Sequence, residues 1–392
     1  MNAKIKHRIL KAYRSLFGYG STGFKKVVRS CSNHQNYTGV LLDDYRFIIS
    51  HNLDASSFSK EEVRRYRARW KQLSPWLPKI YLKMFPPISG VKSPDFVPKP
   101  LYFNLVEPLL NNWQFSRSFA DKNMYGKLVD PDVLPAVLLR KMHGQYYDGQ
   151  YNPVFNVDAF ISSESGPQKK YIIKPAVESQ GGRSVASLES GKGALWLGER
   201  KISQDWLDRQ YRDNFLIQEY IHQHPFYAAL NESSLNSLRI YTYRSVKDNV
   251  VHFIYATIRV GKPGAVTDNI ATGGKAIALK PDGTLMSRTP DIAGEVCCEV
   301  EGLNLGENVK AVGFDAIKET ALRLAANQYY SRFLTFDFCY DQNEKVRLIE
   351  LNNFDIGVTP IQTCSGPLFG KFTDEVIEYC QEKKQGYRYL IR

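Results

Sequence analysis

Near the C-terminal end of the chain lies the segment FLTFDFCYDQNEKVRLIELNN, beginning at Phe333, with acids placed as two facing strands would place them. If Gln342 to Lys345 form a four-residue hairpin loop, Asp341 pairs with Val346 and Asp337 comes to lie opposite Glu350. Strand alternation then puts Asp337, Glu350 and Asn352 on one face, and Phe336, Phe338, Ile349 and Leu351 on the other. Two carboxylates facing one another repel unless a cation or a proton lies between them. Two carboxylates and an amide are a hard, oxygen-only set that suits Mg²⁺, whose other positions go to phosphates and water. An ordinary surface hairpin with incidental acids is the alternative on these residues alone.

A second group is Tyr171-Ile-Ile-Lys174-Pro175, followed by a small-residue stretch containing Gly181 and Gly182. A strand ending in Lys, with a glycine loop after it, can aim an ammonium and backbone N–H groups at phosphates. A plain strand end and turn would read the same way. GxxxxGK[ST] occurs nowhere, so this is not a P-loop, and neither a GxSxG elbow nor an HExxH site is present. His222 and His224 have no Cys or His partners at metal-ligand spacing and read as a surface pair.

The elements that must position these groups are legible in outline. Short strands are expected at Lys170–Lys174, Phe215–Ile221, Asn236–Arg244, Val250–Val260, Phe333–Tyr340 and Lys345–Leu351. The fourth follows the third through Lys247-Asp248-Asn249. Ala311 to Tyr330 reads as a helix with Ile317, Ala321, Leu324 and Ala325 on one side. Earlier, Ser59-Lys-Glu-Glu62 is a capping box that starts a helix running to about Leu73. The Pro-rich stretch Phe85–Pro108 reads as irregular connection. Lys4 to Phe17 reads as an amphipathic helix, with Ile5, Ile9, Tyr13, Leu16 and Phe17 at helical spacing.

The bulk numbers set limits. With 392 residues the chain can build two or three packed lobes, and 43% hydrophobic and 23% charged residues are ordinary for a globular protein. No apolar run reaches the roughly 18 residues needed to span a bilayer, and the N-terminus lacks the apolar core of a signal peptide. The six cysteines form no CxxC pair, which suits reduced thiols in a cytoplasmic protein. Of the net charge of +12, residues 1–42 carry +8 from eight Lys and Arg with no acid, which leaves +4 for the rest. A charge so confined argues against a nucleic-acid partner. The basic helix over residues 1–17 could meet an anionic membrane surface; the reading preferred here docks it by its apolar side onto the following lobe.

The order of these pieces resembles the ATP-grasp superfamily, and within it the sugar-transfer-associated ATP-grasp family of surface-polysaccharide genes. The likeness spans about 101–370. It rests on Phe119-Ala-Asp-Lys122-Asn, Ile172-Ile-Lys174-Pro, Gln180-Gly-Gly182, Leu216-Ile-Gln-Glu219-Tyr, Asn236-Ser-Leu-Arg239, Asp268-Asn269 to Gly273-Gly274, Asp337, and Glu350-Leu-Asn352, in that order. The resemblance implies an α+β fold of two lobes gripping ATP over 101–392, after a basic, mainly helical region at 1–100. The small nucleotide-gripping lobe would cover about 151–225, and the metal- and acceptor-binding lobe 226–392.

It further implies that Lys122 and Lys174 hold the α- and β-phosphates and that Gln180, Gly181 and Gly182 close over them. Gln218, Glu219, Tyr220 and Ile221 would meet adenine. Arg239 and Arg259 would steady the transferred phosphoryl group, with Asp268 and Asn269 closing the acceptor side. Asp337, Glu350 and Asn352 would bind Mg²⁺. The implied activity is ATP-dependent joining of a carboxylate to an amine through an acyl phosphate, with a uronic acid sugar and an amino acid or small amine as substrates. A phosphotransferase on a sugar or lipid-linked acceptor, and a non-catalytic polyanion binder, are the other readings. Two positions depart from the wider superfamily: Thr335 stands where many amino-acid ligases carry Arg, and Asn353-Phe-Asp355 replaces a common Pro-Gly.

Overall fold

A computed structural model describes residues 37–390 except 51–52, 54–57, 75–76, 78, 165, 167, 178–183, 271–272, 288, 291–295, 301 and 306–307. The expected helix at Lys4–Phe17 and the loop residues Gln180, Gly181 and Gly182 lie outside the described residues.

Three helices open the described chain: Tyr37–Ser50, Lys60–Trp70 and Ile80–Ser89. The second starts as expected, with the Ser59 side chain accepting from the Glu62 N–H and the Glu62 carboxylate accepting from the Ser59 N–H. The Pro-rich stretch is irregular only over 90–98. The third helix carries Pro86 and Pro87 in its last turn and ends at the left-handed Gly90, and a continuous helical run covers 99–110 with a wide turn at Tyr102–Val106. Burial overrides proline here: Tyr81 stacks on Phe85 and Phe85 on Phe96, all fully inside.

A seven-stranded antiparallel sheet follows. It comprises β1 (Val137–Met142), β2 (Gln145–Asp148), β3 (Lys170–Pro175), β4 (Ala186–Gly191), β5 (Ala194–Leu197), β6 (Arg200–Lys201) and β7 (Phe215–Glu219), in the order β2-β1-β7-β3-β4-β5-β6. It therefore begins at Val137, ahead of the 151 at which the small lobe was expected to start. Its core takes Val157 and Ile161 from helix Val157–Glu164 and Leu207 from helix Gln204–Tyr211.

The second sheet is built from β8 (Ser237–Arg244), β9 (Val251–Val260) and β10 (Lys275–Leu279). After two short ribbons, β11 (Thr289–Pro290) with β12 (Val296–Cys297) and β13 (Glu299–Val300) with β14 (Leu303–Asn304), it is completed by β15 (Phe333–Tyr340) and β16 (Val346–Asn352). The order is β10-β9-β8-β15-β16, again antiparallel. Leu238, Ile240, Ile258, Phe336 and Phe338 pack one face against helix Phe314–Ala326, which is shorter at both ends than the expected 311–330. The other face divides in two. Tyr241, Tyr243 and Phe333 sink into the N-terminal helices and the last helix, Thr373–Leu390, whose Val376 and Ile377 share that core. Arg239 and Asp337, on the same face by strand alternation, fall beyond this packing.

Candidate active site

The hairpin that carries the acids reaches the expected register by a different route. Near its turn Tyr340 pairs with Val346, and the Asp341 N–H donates to the Lys345 carbonyl at 2.9 Å, so the loop is three residues and not four. A bulge between Asp337 and Phe338 absorbs the difference and restores Asp337 opposite Glu350 and Thr335 opposite Asn352. The bulge also corrects the expected core. Leu348, not Ile349, is buried beside Phe336, Phe338 and Leu351. Ile349 instead offers its carbonyl to Lys174 Nζ at 3.4 Å. Tyr125, unremarkable in the sequence, holds the strand beyond the bulge by accepting from the Leu351 N–H at 2.8 Å.

Both acids are neutralised by cations from other elements. Asp337 takes a two-pronged contact from Arg239, Nε and Nη2 each at 2.6 Å, and a further bond from Arg259 Nη1 at 2.9 Å. With its side chain only 3% exposed, burial alone would raise the Asp337 pKa; the two guanidiniums outweigh it and hold the carboxyl below its ordinary range. Glu350 accepts from Lys122 Nζ at 2.6 Å, and the same opposition of burial and cation leaves its pKa lowered. On β8 and β9 the register places Ser237 opposite Arg259 and Arg239 opposite Thr257, so the two arginines sit diagonally and converge on one carboxylate. Arg259 also reaches Asp268 at 3.4 Å, and Asp268 accepts from both the N–H and the hydroxyl of Ser237. Ser237 lies inside the Asn236–Arg239 segment, but strand periodicity gives no hint of this role.

Lys174, at the end of β3, is the least compensated cation of the group. Burial, then the like charge of Lys122, pushes its pKa down to about 7, opposed by Glu350. Lys122 is brought alongside by its own N–H, which donates to the Ala176 carbonyl just past β3. The end of the seven-stranded sheet is thereby joined to the acidic hairpin through Lys174 and the neighbouring Lys122. At the other expected contact, Gln218 is buried in β7, while one oxygen of Glu219 accepts from the Ala136 N–H at 3.0 Å and the Tyr220 N–H donates to the Lys170 carbonyl. Ile221 is buried next to them. Asn269 gives its carbonyl to Gly274 N–H in the loop that also holds Asp268.

Lys122, Lys174, Arg239, Arg259, Asp268, Asp337 and Glu350 are thus brought into one network, with Asn352 on the end of the same hairpin. Asn352 keeps a buried amide nitrogen with no hydrogen-bond partner. Thr335, where an arginine was absent, is fully buried with its hydroxyl also unpartnered; the guanidiniums come from β8 and β9. Among the described residues no cluster of three or more His, Cys, Asp or Glu could hold a metal. A Lys141–Asp208–Tyr146 group (2.5 and 2.7 Å), which ties β1 and β2 to helix Gln204–Tyr211, went unrecognised in the sequence, where Asp208 is far from the other two.

The sequence profile of a family described as sugar-transfer associated ATP-grasp matches residues 106–374. No curated protein matches. Among solved structures, the ATP-grasp ligase PsnB complexed with minimal precursor, Mg and ADP is 14% identical, with 67% of this chain and 60% of that chain covered and a TM-score of 0.37. Biotin carboxylase from Campylobacter jejuni, as a β,γ-ATP complex, gives 13% identity, 67% and 46% coverage and 0.38. L-amino acid ligase from Bacillus licheniformis gives 13%, 62% and 42%, and 0.33. The chain spans 60% or less of the length of these proteins.

Proposed function

The chain belongs to the sugar-transfer associated ATP-grasp family, and from that premise we propose that it is an ATP- and Mg²⁺-dependent carboxylate–amine ligase of surface-polysaccharide synthesis. One observation carries the reading: two register-paired acids on a hairpin, Asp337 met by arginines from two other strands and Glu350 by Lys122 from a 3-10 turn. The donor set fits magnesium. Asp337 and Glu350 supply anionic oxygens and Asn352 an amide oxygen, and all three are hard ligands. When bound, the ion would neutralise phosphate charge. Lys122 and Lys174, two buried ammoniums with a single carboxylate between them, fit a polyphosphate better than they fit each other. Gln218, Glu219, Tyr220 and Ile221 would line the base end, with backbone groups doing the recognising because the Glu219 carboxylate is already engaged by Ala136.

In the proposed reaction a substrate carboxylate oxygen attacks the γ-phosphorus and ADP leaves. An amine nitrogen then attacks the acyl carbon, phosphate leaves, and the amine gives up a proton. Arg239 and Arg259 hold the carboxylate and then the transferred phosphoryl group, Asn269 and Asp268 close that side, and no side chain acts as nucleophile. Residues 106–374 would form the ligase proper, with the helices before them as its wall. The uronic acid sugar and the amino acid or amine are proposed as substrates on the family's sugar-transfer association.

A screen of candidate carboxylates against amines tests this, with ADP release and mass spectrometry of the conjugate as readouts. Amide product with one ADP per conjugate is expected. A phosphorylated sugar or lipid carrier without amide would replace the ligase with a phosphotransferase, and binding without turnover would replace both.

A further inference from the structure

Lys122 opens the 3-10 turn Lys122–Met124, and the backbone of that turn is gripped from around the seven-stranded sheet. The Lys122 N–H donates to the Ala176 carbonyl at 3.0 Å, and the Asn123 amide donates to the Lys141 carbonyl on β1 at 2.8 Å. The Asn123 carbonyl then takes two donors, Arg140 Nη1 at 2.7 Å and the Tyr151 hydroxyl at 2.8 Å. The reaction uses neither donor.

Arg140 is 2% exposed, and its other bonds also go to main chain: Nε to the Asp148 carbonyl at 3.2 Å and Nη2 to the Gly149 carbonyl at 3.1 Å. The Tyr151 ring covers its guanidinium, 3.9 Å from centroid to carbon. Three carbonyls and a ring thus make Arg140 a fixed point. Tyr151 is held there against its backbone preference, at a φ of 70° that is unfavourable for a bulky residue. Two glycines make the arrangement possible. A Cβ on Gly126 would lie 2.7 Å from the Tyr151 hydroxyl, and one on Gly149 would lie 2.2 Å from the Val137 carbonyl.

The register sets Arg140 opposite Leu216 and Leu216 opposite Lys174. Arg140 and Lys174 therefore leave the same face of the sheet, two strands or roughly 10 Å apart. Both lysines end on neighbouring residues of β16, Lys122 on the Glu350 carboxylate at 2.6 Å and Lys174 on the Ile349 carbonyl at 3.4 Å. An ammonium on a flexible four-carbon stem has little direction of its own. Where it points depends on where its backbone is held.

We propose that Arg140 and Tyr151 are positioning residues for nucleotide binding, which hold Lys122 in place through the Asn123 carbonyl. The proposal rests on the reading of Lys122 as a phosphate lysine and adds the pair that aims it.

A double-mutant cycle, read by calorimetry of the full chain with AMPPNP–Mg²⁺, tests it. Tyr151→Phe removes one hydroxyl and keeps the ring, and Arg140→Lys keeps the charge and loses the three-way grip. Tyr151→Phe should weaken AMPPNP binding by about three- to tenfold, the loss of one hydrogen bond, and Arg140→Lys by at least as much. In a Lys122→Met background neither change should weaken it further, because the group they place is gone. Adenosine, which carries no phosphate, should bind all these variants as it binds the wild type. Equal losses in both backgrounds, or an adenosine affinity that falls in step with that of AMPPNP, would overturn the positioning role and leave a brace of the fold. Unchanged AMPPNP affinity in Tyr151→Phe and Arg140→Lys would overturn it too. Wild-type AMPPNP affinity in Lys122→Met alone would instead contradict the phosphate reading itself.

Discussion

Asp337 and Glu350 face each other across one hairpin, yet they differ in what their removal should do. Asp337 neutralises two guanidiniums in a nearly closed environment, while Glu350, 30% exposed, answers one ammonium. Asp337→Asn should therefore lower stability by about 3–5 kcal/mol, the cost of breaking a buried pair from one side. Glu350→Gln should cost clearly less, and both should lose Mg-dependent turnover. Thermal melts of the two variants check this; equal melting temperatures would refute the distinction. Lys174 gives the opposite pattern. Its burial already strains the charged form, so Lys174→Met should leave stability level or raised while weakening nucleotide binding by about 1.5–3 kcal/mol, the size of a charge-assisted hydrogen bond. Unchanged nucleotide affinity in calorimetry would remove Lys174 from the phosphate site.

Between elements the decisive contacts are backbone ones made by side chains. Asn111 donates to the carbonyls of Phe333 and Asn353 and accepts from the N–H groups of Arg332 and Phe333, all within 3.0 Å. It ties the helical wall to the entry of β15 and the exit of β16. Asn111→Ala would remove that partner from three buried backbone groups, each costing about 1–3 kcal/mol if unsatisfied, and from the Arg332 N–H, which keeps the Leu110 carbonyl at 3.0 Å. The expected result is a stability loss above about 3 kcal/mol in a denaturant titration, together with reduced turnover; a loss below about 1 kcal/mol would show that the site does not depend on this knot. Such knots were not legible in the sequence. β15 was, to the residue, because seven of its eight positions are apolar or acidic and the eighth is the β-branched Thr335. The opposition of Asp337 and Glu350 was also legible, but by compensation: a loop one residue too long in the expectation cancelled a bulge that periodicity cannot see. Ile349 shows the consequence, since alternation without a bulge assigns it to the core. The two arginines were placed by motif order, whereas their convergence on Asp337 needed the register of β8 against both β9 and β15.

Over the whole molecule, the helical region and one face of the five-stranded sheet share one core, and the most perturbed acid outside the site lies beside it. Glu107 is fully buried and accepts from the Ile356 N–H at 2.8 Å; burial pushes its pKa up to about 8 from an ordinary 4.5. Between those two values the folded chain keeps a proton that the unfolded chain has released, so this residue's contribution to stability falls as pH rises from about 4.5 to about 8. Glu107→Gln should flatten that part of the profile and stabilise the protein most near pH 8, measured as the difference between variant and wild type in urea titrations at several pH values. A pH-independent difference would refute the assignment. No helix among the described residues is long and apolar enough to cross a membrane. The +8 of residues 1–42 was legible as a charge pattern, and its structural role lies outside the described residues.

The central claim is that Asp337, Glu350 and Asn352 present magnesium to a nucleotide held by Lys122 and Lys174. Its most direct test is the affinity of AMPPNP for wild type and Glu350→Gln, each measured with and without Mg²⁺. Magnesium should tighten binding to the wild type strongly and do little for the variant, because the hairpin has lost one of its two anionic ligands. Equal tightening by magnesium in both proteins, or nucleotide binding indifferent to magnesium in the wild type, would contradict the account.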